Sequence, residues 1–187
     1  MRPGAIEFSN VDLGTVVKNA TDDLSELAKR RSVSVSVKLS DFRIVFGNAT
    51  ALTQIVVNIL KNAISYSSTG GHVAVAVSPD YRGAIKLTVE DAGPGILEKD
   101  LFRIFEPFYR GGASRARNDG GSGLGLAIVS ELVHLHNGKI VVRSTPRHGT
   151  TIIVSLPAGT APEEESALAE ERQRHGKGGE VAIDFSK

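Results

Sequence analysis

"GGSGLGLAIV", residues 120–129, places four glycines in six positions and then runs straight into apolar residues. Glycine is the least favourable ordinary residue inside a helix, yet Leu124, Leu126, Ala127, Ile128 and Val129 read as the opening of one. The pattern continues to about His136 and stops at Asn137-Gly138. A loose backbone at the mouth of a helix suits phosphate, because the first N–H groups lack partners and the dipole favours negative charge. The usual phosphate signatures do not fit. There is no GxxxxGK[ST], and GxGxxG fails because position 126 is leucine. The protein-kinase HRD and DFG motifs are absent as well.

Strand signals flank this stretch on both sides. Downstream, "KIVVRS" and "TTIIVSLP" surround "TPRHG", a hairpin pattern. Upstream, "HVAVAVS" and "AIKLTVED" surround "PDYRG", a second one. A helix is expected from about Ala49 to Tyr66, ending at "SSTGG". Before it stand a short strand around Ile44 to Phe46 and the alternating "SVSVSV" (32–37). Residues 12–31 carry a helical stripe of Leu13, Val16, Val17, Ala20, Leu24, Leu27 and Ala28, ending in "KRR". Hairpins dominate, which predicts an α+β fold: a two-layer sandwich with a largely antiparallel sheet and helices on one face.

Composition is that of an ordinary soluble protein. Of 187 residues, 41% are hydrophobic and 23% charged, enough for one substantial domain. A net charge of +1 offers no electrostatic case for nucleic acid or an anionic membrane surface. With no cysteine, disulfides, thiol catalysis and cysteine-ligated zinc are excluded. Neither a membrane-spanning stretch nor a signal-peptide pattern is present, so the chain reads as soluble and cytoplasmic. Residues 158–187 carry 7 acidic against 4 basic residues with little apolar pattern, and read as a disordered extension or a short charged helix.

Three further segments carry chemistry. In "QIVVNILKNAISYS" (54–67), Gln54, Asn58, Asn62 and Tyr66 recur every fourth residue on one helix face. Such a stripe is either a set of hydrogen-bonded structural amides or a ligand-facing row, and an Asn oxygen suits Mg²⁺. In "VEDAGPGI" (89–96), Asp91 ends an apolar strand, followed by Gly93 and Gly95. This is either a plain turn or a carboxylate that accepts a hydrogen bond from an amine such as that of adenine. In "LFRIFEPFYRGGASRARNDGGSG" (101–123), Phe102, Phe105, Phe108 and Tyr109 precede Arg110, Arg115 and Arg117 among small residues. That segment reads as a solvated loop or as a lid whose guanidinium groups reach anionic oxygens.

Taken together and in this order, these segments resemble the ATP-binding catalytic domain of bacterial sensor histidine kinases. Its Bergerat fold is shared with gyrase, mismatch-repair ATPases and the ninety-kilodalton heat-shock chaperones. "NILKNAISYS" resembles the N box, "DAGPG" the G1 box, "FEPFYRG" the F box, "GGSGLGLAIV" the G2 box and "HGTTIIVSLP" a closing G3-like strand. The resemblance runs from about residue 12 to 157. It implies a mixed, mostly antiparallel sheet of about five strands with about three helices on one face. It implies that Asn62 binds Mg²⁺ beside Asn58 and that Asp91 reads the adenine amine. Gly93 and Gly95 admit the base, and Gly121, Gly123 and Gly125 bring the helix N-terminus to the phosphates. Tyr66, Ile96, Phe105, Arg110, Leu124, Leu126 and Thr150 complete the implied nucleotide site, and residues 106–120 are the implied lid.

The implied activity is transfer of the γ-phosphoryl of MgATP to a histidine on a separate dimerisation domain, with a response regulator downstream. Hydrolysing relatives carry glutamate one turn before the metal-binding Asn; Asn58 cannot act as a general base at neutral pH, which favours the kinase. None of His72, His134, His136, His148 and His175 has an H-E-L-R-x-P-like context. Residues 1–11 therefore resemble the connection from an absent dimerisation domain, and the chain alone is not expected to phosphorylate itself. The family often has a basic residue just before the N-box tyrosine; here it is Ser65. Asp and Arg often precede the N-box helix, where this chain has Asn48 and Ala51. Ser65 and the missing acceptor keep open an alternative: a degenerate ATP- or ADP-sensing module that acts through protein contacts.

Overall fold

The computed structural model describes residues 7–111 and 122–159. In chain order the elements are β1 (Ser9–Asp12), α1 (Leu13–Asp23), α2 (Ser25–Arg31), β2 (Ser34–Leu39), β3 (Ile44–Gly47) and α3 (Ala49–Tyr66). Next come β4 (His72–Pro79), β5 (Ile85–Asp91), α4 (Glu98–Leu101), a 3₁₀ turn at Arg103–Phe105, α5 (Gly125–Leu135), β6 (Lys139–Ser144) and β7 (Thr150–Leu156).

Five strands form one sheet in the order β2-β4-β5-β7-β6. The β2–β4 pair is parallel and the other three are antiparallel, so the sheet is mixed. Alternation in the sequence sets its inner face. Val73, Val75 and Val77 of β4, Leu87 and Val89 of β5, and Val154 of β7 are all buried. Helix α3 lies over this face, packed between α1 and α5 and against β5. Its apolar stripe of Leu52, Ile55, Val56, Ile59, Leu60 and Ile64 is almost wholly buried. This arrangement is the expected two-layer sandwich.

Local chemistry fixes the ends of α3 and α5. Asn48 Oδ1 accepts the Ala51 N–H at 2.9 Å, a favoured N-cap for α3. Past α5, Asn137 adopts a left-handed φ of 52°, and the Gly138 N–H returns to the Val133 carbonyl at 2.9 Å.

Three features depart from the expected elements. Residues Ser9–Asp12 form a strand and pair with Ile44–Gly47 in a separate antiparallel ribbon, so the expected strand near Ile44 lies outside the main sheet. The backbone of Ala158 and Gly159 also pairs with β3, through Val45 and Ile44. The single helix expected over 12–31 is divided at Leu24, one turn after the Thr21 hydroxyl back-bonds to the Val17 carbonyl at 2.8 Å. The segment after β5 holds α4 and the 3₁₀ turn. Of the expected lid 106–120, only 106–111 are described. Gly121, Arg115, Arg117, residues 1–6 of the expected linker and the tail from 160 lie outside the described residues.

Candidate nucleotide site

A cavity of about 550 Å³ opens between α3, the C-terminal end of β5, and the N-terminus of α5. One wall is the polar stripe of α3, where Asn58, Asn62 and Tyr66 all line the space. The buried stripe on the opposite side of the helix holds that wall in place. The amides therefore face a cavity.

Asp91 lines the base of the cavity. Its Oδ1 accepts the Gly93 N–H at 2.8 Å, which orients the carboxylate. Burial pushes the Asp91 carboxyl above its ordinary range, and the neighbouring Glu90 charge pushes the same way; backbone hydrogen bonds from Gly93 and Thr150 oppose them. The loop after Asp91 is pinned to the β6–β7 hairpin. Ser144 Oγ accepts the Ile96 N–H at 2.9 Å and donates to the Gly149 carbonyl at 2.8 Å. The Arg147 N–H reaches the Pro94 carbonyl at 2.7 Å. A glycine permits this close approach. Gly95 has φ 69°, and a β-carbon there would overlap the Thr145 carbonyl oxygen.

At the other end, α5 begins at Gly125 with no side-chain cap among the described residues, and Gly125 and Leu126 of its first turn line the cavity. A β-carbon on Gly125 would sit 3.5 Å from Asn58 Oδ1 and 3.8 Å from Asn62 Nδ2, so the helix mouth and the amide stripe face each other at van der Waals distance. Gly123, Leu124 and Leu126 line the same end. Segments 108–111 and 122–123 are tied where they adjoin it. The Phe108 N–H donates to the Gly123 carbonyl at 3.0 Å, and Phe108 takes a left-handed φ of 64°.

Gly95, Ile96, Arg110 and Thr150 also line the cavity. Two expected site residues do not. Gly93 lies behind Asp91, where a β-carbon would sit 2.8 Å from the Tyr66 carbonyl oxygen, so it supports the site from outside. Phe105 lines an adjoining hollow with Pro107, Ala127 and Leu132, which shares Leu124 and Ile128 with the cavity.

Three contributors were not found in the sequence. Lys61 and Asp100 line the cavity, and Ser144 braces its floor. Asp100 is buried and accepts the Tyr109 hydroxyl at 2.7 Å, while Arg103 stacks over the Tyr109 ring at 4.3 Å. Asp100 sits in an ordinary charged run, "EKD", and Ser144 in an ordinary strand end; nothing local distinguishes either.

Comparison with known proteins places this geometry. Residues 47–160 match the family model described as "Histidine kinase-, DNA gyrase B-, and HSP90-like ATPase". Sensor-like histidine kinase SenX3 of Mycobacterium tuberculosis (strain H37Rv) is 39% identical over 152 residues, 81% of this chain and 37% of the relative. The structure of mycobacterial sensor histidine kinase MprB superposes with a TM-score of 0.72 at 32% identity, covering 82% of this chain and 100% of that one. Full-length ShkA in complex with AMPPNP gives a TM-score of 0.72 at 25% identity, over 86% of this chain and 33% of that one. The chain spans about a third of the length of the curated relatives it matches.

Proposed function

The chain belongs to the histidine kinase-, DNA gyrase B- and HSP90-like ATPase family, and we propose that it is the catalytic domain of a two-component sensor histidine kinase. It binds MgATP and transfers the γ-phosphoryl group to a histidine on a separate dimerisation domain. One observation carries this reading: a single cavity has an amine-reading carboxylate, Asp91, at one end and an uncapped helix N-terminus facing two amides at the other. That polarity fits a purine at Asp91 and phosphates at Gly125. The AMPPNP complex of ShkA supports the ligand class.

The donor set fits Mg²⁺ brought in with the phosphates. No group of three or more His, Cys, Asp or Glu suited to a metal occurs among the described residues. Mg²⁺ keeps several waters and takes few protein ligands, so the Asn62 side-chain oxygen is an adequate contribution. When bound, the ion supplies neutralisation of phosphate charge.

The chain's own residues position the reactants. Asp91 accepts the adenine amine, Gly95 and Ile96 bound the base, and Tyr66, Arg110 and Thr150 lie along the nucleotide. The free N–H groups of α5 hold the phosphates. Asn58 orients and does not take a proton, since an amide is no base at neutral pH. A neutral imidazole nitrogen of the acceptor attacks the γ-phosphorus, the bond to the β–γ bridging oxygen breaks, and ADP leaves. Positioning and charge stabilisation carry such a transfer. The catalytic domain of 12–157, with its lid at 106–120, also takes in residues 9–11 and 158–159 through their pairing with β3; the connection to the dimerisation domain precedes it and the charged tail follows it. A response regulator downstream and a cytoplasmic location complete the proposal; no helix among the described residues is long and apolar enough to cross a membrane.

The test supplies a histidine-bearing helical hairpin in trans with radiolabelled ATP. Acid-labile phosphohistidine on the hairpin is expected. Tight nucleotide binding with no transfer to any cognate hairpin contradicts the kinase and leaves a nucleotide-sensing module.

A further inference from the structure

Among the described residues two cationic side chains line the cavity, Lys61 and Arg110. Lys61 stands on α3 between the buried Leu60 and the candidate magnesium ligand Asn62. The Tyr66 end of that helix marks the base, since the Tyr66 carbonyl and the Asp91 carboxylate meet at Gly93. Lys61 is five residues away toward Asn58, about 7.5 Å along the helix, at the end that faces Gly125. It is exposed, and no ion pair or hydrogen bond among the described residues engages its ammonium.

We propose that Lys61 is a phosphate-binding residue of this site, contacting the terminal phosphates of the nucleotide. The inference rests on the nucleotide reading of the cavity above. Charge is its first support. Two carboxylates, Asp91 and Asp100, line the cavity, and the α5 N-terminus supplies only about half a positive charge against a triphosphate. Among the described residues the fixed cations placed to offset that charge are Lys61 and Arg110, and the backbone at Lys61 is held by Ile59 and Leu60, both fully buried. The second support is Ser65. The residue ahead of Tyr66 offers no cation and its side chain does not line the cavity. The nearby Arg31 guanidinium donates to the Ser65 carbonyl and so closes the C-terminal end of α3. Lys61 is therefore the cation that α3 itself presents to the cavity.

The test titrates the full chain calorimetrically with MgATP, MgADP and adenosine, comparing Lys61→Ala and Lys61→Arg with the wild type. Lys61→Ala is expected to weaken MgATP about three- to tenfold, to weaken MgADP less, and to leave adenosine unchanged. Lys61→Arg should retain most of the affinity, and the deficit of Lys61→Ala should shrink as salt rises from 50 to 500 mM. Wild-type affinity for MgATP in Lys61→Ala overturns the proposal. So does an equal loss for adenosine and MgATP, which marks a structural effect. A wild type that binds adenosine and no more tightly MgATP overturns the phosphate role alone, whereas a wild type that binds no nucleotide overturns the reading of the whole cavity.

Discussion

Nε2 of His136 accepts the backbone N–H of Asn48 at 3.0 Å, while Nδ1 of the same ring donates to the Leu132 carbonyl at 2.7 Å. One buried imidazole therefore joins the N-terminus of α3 to the C-terminus of α5, the two helices that frame the candidate site. Phe8 packs on the ring at 4.9 Å between centroids, so the incoming chain rests on the same junction. His136→Ala removes both hydrogen bonds, strands the half-buried Asn48 N–H and leaves a void. It is expected to cost about 2–4 kcal/mol, read from urea unfolding midpoints at unchanged slope. A loss below about 0.5 kcal/mol would show the junction to be incidental.

Asp91 sets function against stability. Its pKa is raised on folding, so its favourable contribution is complete below the unfolded value near 3.8 and is lost as pH rises through the higher folded value. At neutral pH the buried carboxylate therefore weakens the fold. Asp91→Asn keeps an oxygen for the Gly93 N–H and removes the charge. The variant should melt above the wild type at pH 7, with the difference vanishing below about pH 4, and it should lose adenosine binding. Melting at or below the wild type at pH 7 would refute this account.

Asp12 has the opposite sign. Burial raises its pKa, but hydrogen bonds from Arg43 and from the Thr15 and Gly14 N–H groups outweigh that and leave it lowered. Its contribution is present above the unfolded value and disappears as pH falls through the folded one. Asp12 caps α1 and holds Arg43 Nε at 2.9 Å, which joins that helix to the segment before β3. Asp12→Ala should cost about 1–2 kcal/mol at pH 7 and less as pH falls through the lowered pKa, a difference that thermal melts across pH resolve.

Two glycines with nearly the same dihedral should respond differently. Gly83 and Gly149 have φ of 81° and 86°, but a β-carbon on Gly83 meets nothing within 4 Å, whereas one on Gly149 overlaps the Asp91 carbonyl oxygen. Gly83→Ala should cost only the backbone penalty of about 1–2 kcal/mol and leave nucleotide affinity alone. Gly149→Ala must displace Asp91 or the hairpin, and should lower both stability and adenosine affinity. Equal behaviour of the two variants in melts and titrations would mean that the contact relaxes freely.

Much of this architecture is legible in the sequence because the periods are clean. The alternation of "HVAVAVS" and "AIKLTVED" yields β4 and β5, and the four-residue recurrence of Asn58, Asn62 and Tyr66 yields a polar helix face. Legibility fails where a residue's role depends on distant partners. Ser9–Asp12 has no strand period, and pairing with Ile44–Gly47 makes it a strand. Asp100, Ser144 and Lys61 look like surface residues until the fold brings the segment after β5, the hairpin and α3 around one cavity. Phe105 shows the converse: an aromatic beside the right motif that lines the neighbouring hollow and not the cavity.

Calorimetric titration of this chain with ATP, with and without Mg²⁺, beside Asp91→Asn and Asn62→Ala, decides whether this cavity holds a magnesium nucleotide. Saturable binding is expected in the wild type, strengthened by Mg²⁺. Asp91→Asn should lose affinity with or without the ion, and Asn62→Ala should lose the Mg²⁺ dependence alone. Absence of binding, or binding that both substitutions leave intact, would contradict the assignment of this cavity to a magnesium nucleotide.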